Sequence, residues 1–287
     1  MSVCVGVSGG DPVDYFQHFV GHFWSAHEPR DYCRTRLELA SCISYMAYWH
    51  EFRPLCEEIL THHLELLRLT ISDNQGVRNK TPFVLLTLNR DLDCYHFIKW
   101  WSQSELYEEM EPWQEGQWPY SVVGGVLTED LFEILNSLNP HSFNLAHLAA
   151  LALVKFRIWT ALNVKQDQLK ALENCGVLDV DTLENVQEMM FGVDMNVQDV
   201  LQEQNTHLEK YLGYIEARNP TLLPAIVNPE PMKQKPLPSS YRLGSPAEAY
   251  VVMNDCRRHF ARVPNALKRI EDFVGRGPHL TYDITES

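Results

Sequence analysis

The strongest constraint on the fold of this chain is the spacing of apolar residues between Leu55 and Trp101. They recur three or four residues apart, which places them on one face of an α-helix. Three such stripes follow one another, with a short polar break after the first: Leu55, Ile59, Leu66 and Leu67; then Val84, Leu85 and Leu88; then Cys94, Phe97, Ile98 and Trp101. Because a single helix cannot bury its own stripe, the sequence predicts helices that stack.

The same spacing predicts helices along most of the chain, so the predicted fold class is all-α. In the helix predicted over 32–48 we expect Leu37, Leu39, Ile43 and Met46 to face the core, and in the one over 144–163 the stripe includes Lys155. Strand-like alternation never lasts beyond about five residues, with 121–126 as the best candidate. Further helices are predicted over 14–25, 128–136, 166–175, 181–190, 197–217, 245–260 and 264–273.

Breaker residues divide the chain into predicted segments. Six prolines between 218 and 244 favour extended backbone, and Ser245-Pro246-Ala247-Glu248 then combines a serine cap, a proline at the first helical position and a capping-box glutamate. We therefore predict a tail over 1–12, a helical-repeat domain over 13–217 with an irregular Trp-rich insertion, a Pro-rich extended segment over 218–244, a C-terminal helical pair packed on the repeat domain over 245–276, and a tail over 277–287.

Charge and cysteine usage narrow the function classes. The net charge of −14 argues against nucleic-acid and anionic-membrane partners, since binding to phosphates needs clustered Lys and Arg. Five basic residues of the C-terminal helices lack the aromatic neighbours of RNA sites, so we expect a solvated or intramolecular face: Arg257, Arg258, Arg262, Lys268 and Arg269. Seven scattered cysteines without a CxxC pair predict reduced thiols in the cytosol or nucleus. We also expect no membrane span, because no run reaches about 18 uncharged apolar residues.

The Trp-rich segment after the third stripe is the first candidate for a binding surface. Long irregular loops often carry function, and Trp is favoured at interface hot spots. The predicted partner-binding residues are Trp100, Trp101, Trp113, Trp118 and Arg78.

The string DNQGVR, residues 73–78, allows two interpretations. A loop carboxylate with an arginine one turn later could hold a peptide terminus. The structural interpretation is favoured: Asp73 or Asn74 caps the following helix, Gly76 permits close backbone approach, and Arg78 pairs with an acid of a neighbouring helix. Asp73, Asn74, Gly76 and Arg78, with Ser245 and Glu248, are therefore predicted as structural motifs.

Recognisable catalytic motifs are missing from the sequence. His18 and His22 have the i, i+4 spacing that puts two imidazoles on one helix face, as zinc ligands require, but they lie among aromatic residues and no HExxH occurs. The early GVSGG has the letters of GxSxG but no preceding strand, and it lacks the GK[ST] ending of a phosphate loop. We expect packing histidines, no metal and no cofactor.

Several strings resemble known helical families. DNQGVR followed by NRDLDCYHFIKWW resembles tetratricopeptide-like helical repeats and, more closely, an uncharacterised eukaryotic family, some of whose members carry a MYND-type zinc finger. The likeness resumes at NLAHLAALALVKFRI and NPTLLPAIVNPEP, while YRLGSPAEAYVVM and VPNALKRI also resemble a module of the suppressor-of-tumorigenicity family. The resemblance implies a right-handed α-solenoid without a defined chemistry. The cysteines here are too far apart to build a MYND finger.

The sequence predicts a non-enzymatic, helical-repeat scaffold that binds another protein through a concave helical surface or the Trp-rich loop. The partner and the oligomeric state are left open. The alternative is an enzyme or metal-binding helical domain whose site is assembled from distant residues, for instance His18, His22 and a remote acid.

Overall fold

The fold is all-α, as the apolar spacing predicts. The computed structural model describes residues 14–50, 52–103, 131–135, 143–174 and 197–275, and within these ranges every regular element is a helix. An isolated antiparallel bridge joins His22 to Thr70. The chain divides into two compact units, Met1–Glu129 and Asp130–Ser287, and this division falls inside the predicted repeat domain of 13–217. The predicted domain boundaries themselves stay predictions.

In the first unit, each long helix packs against the next one in the chain. The three stripes between Leu55 and Trp101 form three helices, as predicted, and a longer helix precedes them. Contacts join the second helix to the third, the third to the fourth and the fourth to the fifth. The helices are α1 (Tyr15–His18), α2 (Pro29–His50), α3 (Arg53–Leu69), α4 (Val77–Thr87) and α5 (Asp91–Gln103).

The helix predicted over 14–25 is much shorter than expected. Asp14 caps α1 by accepting from the Phe16 N–H, but the helix ends at His18. Gly21 then adopts a left-handed φ of 86° and its carbonyl accepts from Ile71, while the Phe23 N–H donates to Leu69. These hydrogen bonds to the end of α3 and the residues after it replace the helical ones. They hold Phe23 against the end of α3, where it is completely buried.

The second unit is built on one long buried helix. Its helices are α6 (Leu145–Asn174), α7 (Val197–Arg218), α8 (Leu222–Val227), α9 (Glu230–Lys233), α10 (Pro246–Arg262) and α11 (Ala266–Val274). All residues from Leu145 to Phe156 are buried, and α6 packs against α7 and α10, while α8 packs against α10 and α11. The helices predicted over 144–163 and 166–175 are one continuous helix, because neither Gly nor Pro interrupts the stretch between them.

One window of α6, Leu145–Gln168, is long and apolar enough to cross a membrane by length and composition. The protein itself buries 72% of that window. This burial is what the central helix of a globular unit requires.

The Pro-rich segment 218–244 differs from the prediction, since it contains the short helices α8 and α9. Pro224 is the third residue of α8 and Pro231 lies in the first turn of α9. Residues of a first turn have no intrahelical acceptor for their N–H, so proline is tolerated there. The prolines therefore limit the helices to one turn or so without preventing them.

The predicted start of α10 is confirmed. The Ser245 side chain accepts from the Glu248 N–H at 3.3 Å, and Pro246 is the first helical residue. The Glu248 carboxylate accepts from the Gly244 N–H at 2.6 Å, one residue before the expected Ser245. The predicted tails over 1–12 and 277–287, the helix over 181–190 and the loop residues 104–128 lie outside the described residues.

Candidate interaction surfaces

The loop between α3 and α4 is organised by Asp73, as predicted. Its carboxylate oxygens accept from the backbone N–H groups of Val77 at 2.8 Å and Arg78 at 3.0 Å, which caps the start of α4. Asn74 lies beside it and hydrogen-bonds to Ser72 at 2.5 Å. The Asp73 side chain is only 8% exposed, and burial outweighs the Arg78 charge and the two N–H groups, so its pKa rises to about 6.

Gly76 has a different role from the predicted one. A Cβ atom at this position would meet no atom within 4 Å, so close backbone approach does not explain the glycine. Its φ is +67°, in the left-handed region that side-chain-bearing residues disfavour. The requirement is therefore conformational, set by the turn that leads into α4.

Arg78 ties this loop to α5. Its guanidinium pairs with Asp73, with Nε 3.7 Å from Oδ2, and donates to the Ile71 carbonyl at 3.0 Å. The guanidinium carbon also lies 4.0 Å from the centre of the Trp101 ring, a cation–π contact. The described acid that pairs with Arg78 is Asp73 of the adjoining loop, whereas the sequence predicts an acid on a neighbouring helix.

The two described tryptophans of the predicted binding set lie on α5. Trp101 is 6% exposed and belongs to the core, while the half-buried Trp100 contacts it edge-on at 4.6 Å. Trp101 is therefore not an exposed contact residue, since its ring is covered by Arg78 and the helices. Trp113 and Trp118 lie outside the described residues.

His18 and His22 do not share a helix face. His18 is the last residue of α1, and His22 follows in the turn that bridges to Thr70, because the helix ends too early to include both. Within the described ranges, no group of three or more His, Cys, Asp or Glu side chains is placed to hold a metal ion. The geometric basis of the alternative metal site at His18 and His22 is thus lost.

Of the three other histidines that are buried in the described residues, His63, His147 and His259, the first and the last have a strongly lowered pKa. Burial lowers the pKa of His63 on α3 and of His259 on α10 to about 3 in each case, and the neighbouring cations Lys80 and Arg258 add to the effect. The His63 ring nitrogen Nδ1 lies 3.4 Å from the Thr81 hydroxyl of α4. Both histidines are neutral packing residues at physiological pH.

Helix α2 carries two apolar stripes rather than the single predicted one. The buried stripe consists of Cys33, Ala40, Ile43 and Ala47. Leu39 and Met46, which we expected in the core, are 49% and 50% exposed. At 100° per residue, Leu39 and Met46 point roughly 90° from the buried face, which is why they miss it.

The exposed apolar residues of this first unit are concentrated around α2. Tyr45 is 70% exposed and Phe52, directly after the helix, is 56% exposed; Cys42 is also exposed. We call Leu39, Cys42, Tyr45, Met46 and Phe52 the α2 face. Four of the seven large apolar side chains that are exposed in the described residues belong to it. The i, i+3, i+7 spacing of Leu39, Cys42 and Met46 is visible in the sequence, but it led us to expect Leu39 and Met46 in the core.

In the second unit, α6 and α7 hold the segment 131–135. The Lys155 ammonium donates to the carbonyls of Leu131 at 2.7 Å and Glu133 at 2.6 Å, and to the Gln204 side chain at 3.1 Å. Gln204 in turn donates to the Phe132 carbonyl at 2.7 Å. We call this arrangement the α6–α7 groove. The helix predicted over 128–136 is absent from 131–135, because these carbonyls serve as acceptors for the groove side chains.

The ends of α7 and α10 are joined by a buried ion pair. The Arg218 guanidinium donates to the two Glu248 oxygens at 3.0 and 3.2 Å, and these side chains are 6% and 4% exposed. Arg218 also donates to the Phe143 carbonyl at 3.0 Å, next to the start of α6. The pair therefore ties together three elements of the second unit.

Two of the C-terminal basic residues make contacts within this unit. Arg257 donates to the Ile226 carbonyl at 3.0 Å, and the Arg269 guanidinium lies 4.1 Å from the centre of the Trp159 ring. Arg269 is additionally hydrogen-bonded to Asn205. These contacts match the intramolecular alternative for the basic helices.

No known family model, curated protein or solved structure matches this chain. The resemblance to tetratricopeptide-like proteins and to families with MYND-type fingers therefore stays a hypothesis drawn from the sequence. The functional proposal rests on the chemistry of the described surfaces.

Proposed function

We propose that this protein is a non-enzymatic helical scaffold, and that the α2 face docks a helix of a partner protein. The observation that supports it is the concentration of exposed Leu39, Tyr45 and Met46 on α2, with exposed Phe52 at the start of the next helix. Contiguous exposed apolar side chains are costly in water and typical of interaction surfaces. The spacing of Leu39, Cys42 and Met46 is that of a ridge on a helix, which fits the groove of another helix.

The finer architecture is also a proposal. In the first unit α2 packs against α3, α3 against α4 and α4 against α5, the nearest-neighbour pattern of repeat proteins. This pattern supports a tetratricopeptide-like stack for α2–α5. A reducing compartment, cytoplasmic or nuclear, is proposed with it, and no disulfide bond joins the five described cysteines.

The test compares surface variants that alter equal numbers of exposed apolar side chains. Leu39→Ser/Met46→Ser changes the α2 face, whereas Leu237→Ser/Leu243→Ser changes two leucines that are 50% and 73% exposed in the other unit. Each protein is tagged, incubated with a lysate of the native host, and the captured proteins are quantified by mass spectrometry. Interface anchors each contribute on the order of 1 kcal/mol or more, so we expect a capture loss of about tenfold for the first variant alone.

Equal capture by both variants and the wild type would refute the α2 face as the docking surface. A Trp113→Ala/Trp118→Ala variant tests the Trp-rich loop in the same experiment. Loss of the partner in that variant alone would assign binding to the loop instead. Circular dichroism of each variant verifies that helicity is unchanged.

A further inference from the structure

The connection between α9 and α10, residues 234–244, is exposed and has few bonds to the rest of the second unit. It is fixed near its start, where the Lys235 carbonyl accepts from the Tyr250 hydroxyl at 3.0 Å. The next five residues, 236–240, make no hydrogen bond within the described part of the chain. Another protein therefore binds this stretch without breaking a hydrogen bond of the fold.

The two serines of this stretch differ from the other serines that the structure describes. Ser239 and Ser240 are exposed, and their hydroxyl groups have no hydrogen-bond partner among the described residues. The hydroxyl group of every other described serine donates to an oxygen of a nearby residue. These bonded serines are Ser25, Ser41, Ser44, Ser72, Ser102 and Ser245. Ser239 and Ser240 are therefore the described serines whose hydroxyl oxygens are most accessible to a reagent.

The surroundings of these two serines are basic, although the whole chain has a net charge of −14. Residues 231–247 contain Lys233, Lys235 and Arg242 and no Asp or Glu, which gives this stretch a charge of +3. The backbone forms a bend at 239–240 with irregular structure on both sides, so no helix has to unwind when it is bound. The connection thus complements an enzyme cleft that is lined with carboxylates.

We propose that the Ser239–Ser240 pair is a phosphorylation site for a protein kinase that selects basic substrates. The serine hydroxyl oxygen attacks the γ-phosphorus of Mg²⁺-bound ATP, and a new O–P bond forms as the bond from this phosphorus to the β,γ-bridging oxygen breaks. ADP leaves with that bonding pair, and a carboxylate base of the kinase takes the hydroxyl proton. This site is independent of the α2 face.

The modification changes the charge of the connection. A phosphoserine carries a charge of about −1.5 to −2 at pH 7, so one phosphate lowers the local charge from +3 to about +1. Lys235 and Arg242 are cations of the same connection, and phosphate oxygens accept charge-assisted hydrogen bonds from such groups. A stretch without hydrogen bonds therefore gains a group that pairs with its own cations.

The test uses the purified full-length protein and a lysate of the native host that contains phosphatase inhibitors and MgATP with ¹⁸O in its γ-phosphoryl group. The heavy isotope marks new phosphate, and peptide mapping by mass spectrometry gives the initial rate at each serine. We expect Ser239 or Ser240 to be phosphorylated about tenfold or more faster than any of the six bonded serines, because a bonded hydroxyl within a folded element fits a kinase cleft poorly.

Two sets of variants locate the site and test its charge. Ser239→Ala/Ser240→Ala should remove the new phosphate from residues 231–247, whereas the control Ser41→Ala/Ser44→Ala should leave it unchanged. Lys233→Gln/Lys235→Gln/Arg242→Gln keeps both serines and should lower their rate of phosphorylation by about tenfold, since three exposed ion pairs with the kinase are lost.

Three results would overturn the proposal. The first is the absence of new phosphate from Ser239 and Ser240 while other proteins of the lysate are labelled. The second is labelling of Tyr241 in place of the serines. The third is an equal rate for the wild type and the triple Gln variant, which would contradict selection by basic residues. Circular dichroism verifies that each variant keeps the helicity of the wild type.

Discussion

Replacing Glu248 by Gln should destabilise the second unit severely. Gln is nearly the same size and keeps an oxygen that accepts from the Gly244 N–H, so the change removes mainly the negative charge. The Arg218 guanidinium, whose side chain is only 6% exposed, then stays buried without its counter-charge. The loss reflects an uncompensated buried cation rather than a missing contact.

Removing one partner of a buried ion pair costs about 3–5 kcal/mol. Arg218 and Glu248 fit that case, because they are almost fully buried and bidentate at 3.0 and 3.2 Å. The double variant Arg218→Met/Glu248→Gln eliminates both charges. We expect it to recover about half of the loss or more, since a buried pair replaced by uncharged groups is often close to neutral.

The assay is urea unfolding with pulsed hydrogen exchange and mass spectrometry, which follows α10 separately from the helices of the first unit. At typical urea slopes, Glu248→Gln should lower the midpoint of α10 by about 1 M or more. Glu230→Gln is the control in the same unit: its pair with Lys233 is 3.8 Å long and exposed, so the expected change is below about 0.5 kcal/mol. Similar midpoints for the two single variants would refute the reasoning.

Three further predictions concern the first unit. Gly76→Ala should cost about 1–2 kcal/mol in urea unfolding through its positive φ, and Gly76→Asn less than half as much, because Asn tolerates that region. Because the pKa of Asp73 is raised to about 6, its contribution to the free energy of unfolding is largest below about pH 4 and is lost as the pH rises to about 6. This loss is at most about 3 kcal/mol. Asp73→Asn should reduce the corresponding fall in the urea midpoint of α4, measured as a function of pH. The pKa of His63, lowered to about 3, has the opposite sign: stability is full above about pH 6.5 and falls toward pH 3, by up to about 5 kcal/mol, and His63→Met should remove that acid sensitivity of α3.

Local signals in the sequence predicted the local features of the fold. The helices α2 to α5 and α10 follow from apolar spacing and cap residues, and Asp73 and Ser245 form the predicted caps. The same signals misplaced Leu39 and Met46, because α2 has two apolar stripes and spacing alone does not say which one is buried. α1 ends early because His22, which follows it, pairs with Thr70, far along the chain.

The contacts that define the candidate sites join residues distant in sequence. Lys155 reaches a carbonyl 24 residues away, and Arg218 pairs with Glu248 across 30 residues. Neither periodicity nor a motif predicts such pairs. The position of Lys155 within an apolar stripe is the feature of the sequence that indicates a buried charge. A lysine amid a buried stripe implies acceptors supplied from elsewhere, although the sequence cannot identify them.

The most direct test of the α2 face as a docking surface is the alkylation rate of the Cys42 thiol, read by peptide mapping with iodoacetamide. Cys42 is exposed between Leu39 and Met46, whereas Cys33, Cys56, Cys94 and Cys256 are buried. We predict rapid modification of Cys42 in the purified protein and protection of about tenfold or more in the complex captured from the host lysate. An unchanged rate at Cys42 in that complex would contradict the proposal.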